Sequence, residues 1–147
     1  MKFRHHVDLS KIIDLESVAK FNKNTFMEQL GITYTELGIN SLSAKMEITD
    51  KVRQPAGLLH GGASVAFAES LGSMGSALLV DYKKFHVSCI EISANHIKGK
   101  KEGTVFGKAT IIHMGKTTHV WIVEITDEEE NLISSARLTM MIIPTQQ

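Results

Sequence analysis

Between Ser41 and Thr49 the chain alternates strictly. Leu42, Ala44, Met46 and Ile48 are apolar, and Ser41, Ser43, Lys45, Glu47 and Thr49 are polar. A period of two predicts a strand with one buried face. Ile32 to Leu37, joined to it through Gly38-Ile39-Asn40, reads as its hairpin partner. Four further strands are predicted downstream, over Val87–Lys98, Thr104–His113, Thr117–Thr126 and Leu132–Ile143. Turn-rich segments separate them: Gly99 to Gly103, Met114-Gly115-Lys116, and the acidic run Asp127 to Asn131. Within these strands Val105, Gly107, Ala109 and Ile111 are expected to share one face, as are Ile90, Ile92, Ala94 and His96. Connections this short join antiparallel neighbours.

Helical spacing appears twice. Near the start, Asp8 or Ser10 is placed to cap a helix carrying Ile12, Ile13, Leu15, Val18, Ala19 and Phe21, and a further turn spans Thr25 to Leu30 before Gly31. The second segment, from about His60 to Val80, is long and apolar. The order is two strands, one long helix, then four strands. It predicts an α+β protein, an antiparallel sheet with its long helix on one face, in one domain over residues 1–147 with a helical segment at about 8–30.

The long helix is built mainly of Gly, Ala and Ser from Gly61 to Ala77. Gly72 and Gly75 each cost about 1 kcal/mol relative to Ala inside a helix. Close approach of another backbone, as a sheet curving around the helix would bring, is the expected compensation. The stretch Ala63 to Val80 has the length of a membrane span. It contains Glu69, four serines and two glycines, and a buried helix is the expected reading.

Composition adds limits rather than detail. The chain has 147 residues, sixteen basic and sixteen acidic, so its net charge of zero does not suggest a nucleic-acid or membrane-surface binder. A lone cysteine, Cys89, precludes an internal disulfide and fits a reducing, cytoplasmic setting. The start, Met1-Lys2-Phe3-Arg4-His5-His6, does not read as a secretion signal.

The candidate chemistry lies around the long helix. His60-Gly61-Gly62 falls at its first turn, where unpaired N–H groups and the positive dipole end can polarise a carbonyl and hold an oxyanion. Glycine there lets a ligand approach the backbone. His60 is placed to touch the same ligand, and Gln54 could donate its side-chain amide. Glu69 supplies a carboxylate as base or nucleophile, and burial would raise its pKa. Nine residues separate His60 from Glu69, roughly 13 Å along a helix. The geometry would close if Glu69 came from the helix of a second subunit.

The runs Gln54 to Ser64, Ala68 to Ser73, Ile90 to Lys98 and His113 to Lys116 followed by Val120-Trp121 resemble hotdog-fold acyl-CoA thioesterases. They are most similar to the branch of the Arthrobacter-type 4-hydroxybenzoyl-CoA and the 1,4-dihydroxy-2-naphthoyl-CoA and enterobactin-proofreading thioesterases. The resemblance covers about residues 40 to 143. It implies an antiparallel sheet wrapped around the central helix, a homo-oligomer built as a dimer of dimers, and an active site at the dimer interface. It implies that Glu69 attacks the thioester or activates water, and that Gln54 and the Gly61 backbone engage the thioester oxygen. His60 would lie beside the acyl group, and Ser73 would orient the hydrolytic water. Cys89, with His96, Ile97, Lys98 and Gly99, would line the CoA site. So would His113, Met114, Gly115, Lys116, Thr117 and Thr118. That branch tends to have Gly at the position of Cys89 and often Arg at that of Lys98. Lys98, Lys100, Lys101 and Lys116 are candidate phosphate contacts.

CoA enters as part of the substrate, and neither cofactor nor metal is expected. The acyl group stays open between aromatic and medium-chain fatty types, with a mild preference for an aromatic one. The main alternative is a non-catalytic acyl-CoA binding or sensor protein. A hotdog dehydratase would carry a His-Phe-Pro-type motif, a zinc hydrolase an HExxH or paired Cys/His spacing, and a Ser-His-Asp hydrolase a G-x-S-x-G. The sequence has none of these.

Overall fold

A computed structural model describes residues 6–146. The residues on which the reading of the amino terminus mainly rests, 1–5, lie outside that range. Six strands form one antiparallel sheet: β1 (Thr33–Gly38), β2 (Ser41–Glu47), β3 (Phe85–His96), β4 (Thr104–Met114), β5 (Thr118–Thr126) and β6 (Leu132–Pro144). Their order across the sheet is β1-β2-β4-β5-β6-β3. Among the described residues three α-helices accompany them: α1 (Leu15–Lys20), α2 (Phe26–Gln29) and α3 (Gly61–Leu78).

Alternation accounts for most of this sheet. Leu42, Ala44, Met46 and Ile48 are all buried, as are Val105, Gly107, Ala109 and Ile111. The predicted face of β3 is corrected. Cys89 pairs with Met140 and Glu91 with Thr139, leaving Ile90 as the extra residue of a β-bulge. A bulge reverses the in–out phase of its strand. Ile90 therefore faces outward, 55% exposed, while Val87 and Cys89 before it and Ile92 and Ala94 after it pack against the core. The amino-terminal helix is corrected too. Asp8 caps only a 3-10 turn, Leu9–Lys11, and Asp14 caps a separate α1 through a 2.8 Å bond accepted from the Ser17 N–H. Short polar side chains bonding back to the backbone favour such fresh starts. The turn at Thr25 follows expectation: α2 ends at Leu30, and Gly31 takes φ +70°.

α3 lies on the sheet, with Phe67, Ala68 and Leu71 fully buried. Its glycines are explained by neighbouring side chains, not by the approaching backbone that was expected. A Cβ on Gly72 would sit 2.4 Å from Leu138 Cδ1. One on Gly75 would sit 2.5 Å from the Trp121 ring and 2.9 Å from Leu42. Opposite them Gly107 of β4 leaves room for Leu71 and Phe67. Trp121 is pinned from below, its Nε1–H donating 2.8 Å to Ser76 Oγ, which also lies 3.1 Å from His119 Nδ1. Gly75→Ala should thus lower stability by about 1–3 kcal/mol, overpacking outweighing the gain in helix propensity. Urea unfolding of the two proteins side by side checks the sign.

No helix among the described residues is long and apolar enough to cross a membrane.

Candidate active site

The loop before α3 is held by its backbone. His60 N–H donates to Val52 O at 2.8 Å and Leu59 N–H to Lys100 O at 2.7 Å. Gln54 N–H donates to Leu58 O at 2.8 Å, and Gly57 closes the turn at φ +84°. Within it, Gln54 Oε1 accepts from the Ala56 N–H. The carbonyl end of the Gln54 amide is therefore engaged, and its –NH2 remains as a donor.

His60 is the N-cap of α3. Its Nδ1 accepts from Gly62 N–H at 2.8 Å, so the neutral ring carries its proton on Nε2. Its carbonyl accepts from Ala63 and Ser64. The Gly61 N–H is left without an acceptor among the described residues. Beside it a cleft of about 200 Å³ is lined by Gln54, Leu58, Gly61 and Ser64 on one side and by His96, Ile97, Lys98 and Gly99 on the other. The His96 ring lies over Gly61, where a Cβ would be 2.7 Å from its Nε2. Ser134 holds that ring. Its Oγ donates to Asn95 O at 3.2 Å and lies 3.1 Å from His96 Nδ1. A hydroxyl has one proton, so the neutral His96 ring donates from Nδ1 and turns its Nε2 lone pair to the cleft.

Glu69 lies elsewhere on the molecule. It is half-buried near the middle of α3, in a crevice with Phe26, Met27, Ala66, Ser70 and Ser73. No described residue gives its carboxylate a hydrogen bond or salt bridge. Ser70 Oγ is turned back onto Ala66 O at 2.7 Å, and Ser73 Oγ contacts Met140 Sδ at 3.8 Å. Ser73 is thus the hydroxyl on Glu69's own face with the weaker commitment. Cys89 stands on this side, apart from the His96–Gly99 run. Burial and then the Glu69 charge push its thiol pKa up.

His113 to Thr118 span the end of β4, the turn and the start of β5. Met114, Gly115 and Lys116 line a third hollow of about 590 Å³ at the far end of α3, with Leu79, Phe85 and His119. Thr117 O accepts from Ile142 N–H, and Thr118 O from Gly115 N–H, each at 2.8 Å. One chain therefore brings together Gln54, His60, Gly61 and His96 to Gly99, and places Glu69 with Ser73 and Cys89 apart from them. Sequence reasoning missed Ser134, the orienting partner of His96, and Phe26 and Met27, which wall in Glu69. Nothing in local spacing marks these residues, since they meet the site only through tertiary packing.

Two of the candidate phosphate-binding lysines have carboxylate partners. Lys98 Nζ is 3.8 Å from Asp127 and Lys100 Nζ is 2.6 Å from Glu128. Lys100 and the Thr104 N–H together hold the Glu128 pKa down at about 2, against an ordinary 4.5. A lowered folded-state pKa stabilises the fold above the unfolded value and loses that effect as pH falls through the folded one. Glu128→Gln should lower the urea midpoint slightly at neutral pH. The difference from wild type should fade between about pH 4.5 and pH 2.

A sheet of this order over one long helix, with an N–H left open at the helix start among the described residues, is an arrangement able to polarise a carbonyl. The chain belongs to the Thioesterase superfamily, whose family pattern matches residues 56–134. It is 38% identical over 131 residues to the 1,4-dihydroxy-2-naphthoyl-CoA hydrolase of Escherichia coli, covering 89% of this chain and 96% of that one. Its fold matches a crystal structure of a mutant thioesterase from Pseudomonas aeruginosa with TM-score 0.88 and 41% identity, over 90% of this chain and 96% of that one. A Haemophilus influenzae thioesterase matches with TM-score 0.87 and 33% identity, over 92% and 94%. This chain is an enzyme of that family, a thioesterase with the hotdog fold.

Proposed function

We propose that the chain hydrolyses acyl-CoA thioesters to the free acid and CoA, in a site shared by two copies of itself. The observation that carries this reading is the division of the chemistry. Among the described residues, an unaccepted Gly61 N–H and the unengaged –NH2 of Gln54 stand at one end of α3, and an unpaired carboxylate stands roughly 12 Å along the same helix. A second copy supplies the missing half of each site. β3 favours such pairing: it is a twelve-residue edge strand with one ladder unmatched.

In this reading Gly61 N–H and the Gln54 amide bind the thioester oxygen and stabilise the oxyanion as the carbonyl carbon becomes tetrahedral. Glu69 of the partner subunit either attacks that carbon or takes the proton of the water that does, with Ser73 orienting the water. CoA leaves as its thiol. His60 flanks the acyl group. The CoA chain runs past His96, Ile97, Lys98 and Gly99, and His113 to Thr118, with Cys89 near the carboxylate, complete the walls. CoA is part of the substrate, so no cofactor takes part. The enzyme acts in the cytoplasm as a dimer of dimers. The E. coli relative, a 1,4-dihydroxy-2-naphthoyl-CoA hydrolase, supports an acyl-CoA as substrate.

Release of CoA thiol from a panel of acyl-CoAs tests the activity, and mixed oligomers test the shared site. Gln54→Ala and Glu69→Gln homo-oligomers should each be nearly inactive. Unfolded together and refolded, they should regain about a quarter of wild-type activity, because half the dimers are mixed and each has one intact site. No recovery would place Gln54 and Glu69 of one site on the same chain. Binding of acyl-CoA without any turnover would make the protein a sensor instead.

A further inference from the structure

Further along α3 from the crevice around Glu69 lies a separate apolar cavity that the reaction leaves unassigned. Two rows of side chains at i, i+4 spacing run side by side along α3: Glu69, Ser73 and Ala77, and Ser70, Met74 and Leu78. The upper part of these rows, Met74, Ala77 and Leu78, forms the floor of a cavity of about 380 Å³. Its roof comes from the amino-terminal layer, through Ile12, Ile13 and Phe21, and from Tyr82. The same layer walls the Glu69 crevice through Phe26 and Met27.

Ile13 packs against the core, but Ile12 and Phe21 of the roof and Phe26 of the crevice wall do not. Ile12, Phe21 and Phe26 are 48%, 58% and 65% exposed, although α1 and α2 have polar faces to turn outward. The cavity is also poor in polar partners. Its one charged lining residue, Asp81, is committed to its own turn, accepting from Lys83 N–H at 3.0 Å and facing Lys84 Nζ at 3.6 Å. A hydroxylated ring buried there would find, among the described side chains of the lining, the Tyr82 hydroxyl and the already engaged Asp81 carboxylate, and unmatched polar groups are costly to desolvate.

We propose that this cavity holds the distal part of an unsubstituted hydrocarbon acyl group, which enters past Glu69 and is clamped between α3 and the amino-terminal layer. This rests on the thioesterase reading and narrows its substrate to medium-chain acyl thioesters. The eight residues from Glu69 to Ala77 rise about 12 Å, the span of roughly eight to ten carbons in an extended chain. Ala77, exposed at the floor with only a methyl group, sets the depth, and Met74 and Phe21 flank the path.

The test is kcat/KM for CoA release from butyryl-, octanoyl-, decanoyl- and 4-hydroxybenzoyl-CoA, on the full-length oligomer. Each buried methylene contributes about fourfold, so the six extra methylenes of decanoyl should raise kcat/KM over butyryl by roughly 10³-fold in the wild type. Ala77→Phe fills the floor, and should cut that ratio below about ten. Ile12→Asp, a surface substitution that puts a charge on the roof, should lower the same ratio while the unfolding midpoint stays close to wild type. Turnover with no dependence on chain length, a preference for 4-hydroxybenzoyl-CoA, or ratios unchanged in both variants would each overturn the pocket while leaving the thioesterase reading intact. Unchanged ratios together with a smaller oligomer for Ile12→Asp would identify the cavity as a subunit interface. Absence of turnover on every thioester would bring down the activity itself, and this assignment with it.

Discussion

Glu69→Gln is expected to reduce kcat for thioester hydrolysis by roughly 10³-fold while leaving the fold unchanged. The substitution keeps the side chain's shape and removes its charge and basicity. Among the described residues the carboxylate makes no hydrogen bond or salt bridge whose loss would be felt elsewhere, so the change in unfolding free energy should stay within about 0.5 kcal/mol. Steady-state kinetics beside urea unfolding separates the two effects. Turnover like that of the wild type would remove Glu69 from the mechanism. Single-turnover hydrolysis in ¹⁸O-water then tests the nucleophilic role, which label in Glu69 would establish. A nucleophilic carboxylate forms an anhydride with the acyl group. Water attack at its acyl carbon labels the product acid, and attack at the Glu69 carbon labels the protein. A general base leaves Glu69 unlabelled in every turnover.

Gly61→Ala should cost about 10²-fold in kcat/KM, for a different reason. The added methyl would lie 2.7 Å from His96 Nε2, and Ser134 restrains that ring from the other side. Either His96 swings out of the cleft or the first turn of α3 shifts and its N–H leaves the thioester oxygen. The N–H donor itself survives, so the loss is one of placement. His96→Ala in the same chain removes the obstruction. A double-mutant cycle should show the two changes to be non-additive, with Gly61→Ala much milder once His96 is gone. Full additivity would mean that the methyl acts on the substrate directly.

The sheet was legible because each of its central strands repeats one in–out pattern for most of its length. β2 and β4 could be read residue by residue from Leu42 to Ile48 and from Val105 to Ile111. β3 could not. Its bulge at Ile90 shifts the pattern by one position, and Ile90 is as apolar as the residues that stay inside. The glycines of α3 announced tight packing without saying against what. Leu138, Trp121 and Leu42 come from β6, β5 and β2, brought together only by the strand order.

The site divided along the same line. Gln54, His60 and Gly61 are neighbours in the chain, held by one short loop and a helix cap, and local reasoning placed them. The distance to Glu69 followed from helix rise alone. Ser134, Phe26 and Met27 carry no such mark. Each reaches the site from an element whose own periodicity is fully explained by burial or by a helix turn.

The bond from Trp121 to Ser76 has a consequence for aim. A helix made of Gly, Ala and Ser has little apolar asymmetry, so burying it does not by itself define its rotation about its own axis. Ser76 Oγ, held by Trp121 on β5 and beside His119, is a fixed polar point between helix and sheet, and it acts as a key in a shaft. Glu69 lies two turns away on the same rigid rod. With side chains reaching about 5–6 Å from the axis, a twist of roughly 10° carries the carboxylate about 1 Å sideways. Errors of that size cost about 10²-fold in rate. A hydroxyl buried under the sheet, far from any thioester, thereby sets where the carboxylate points.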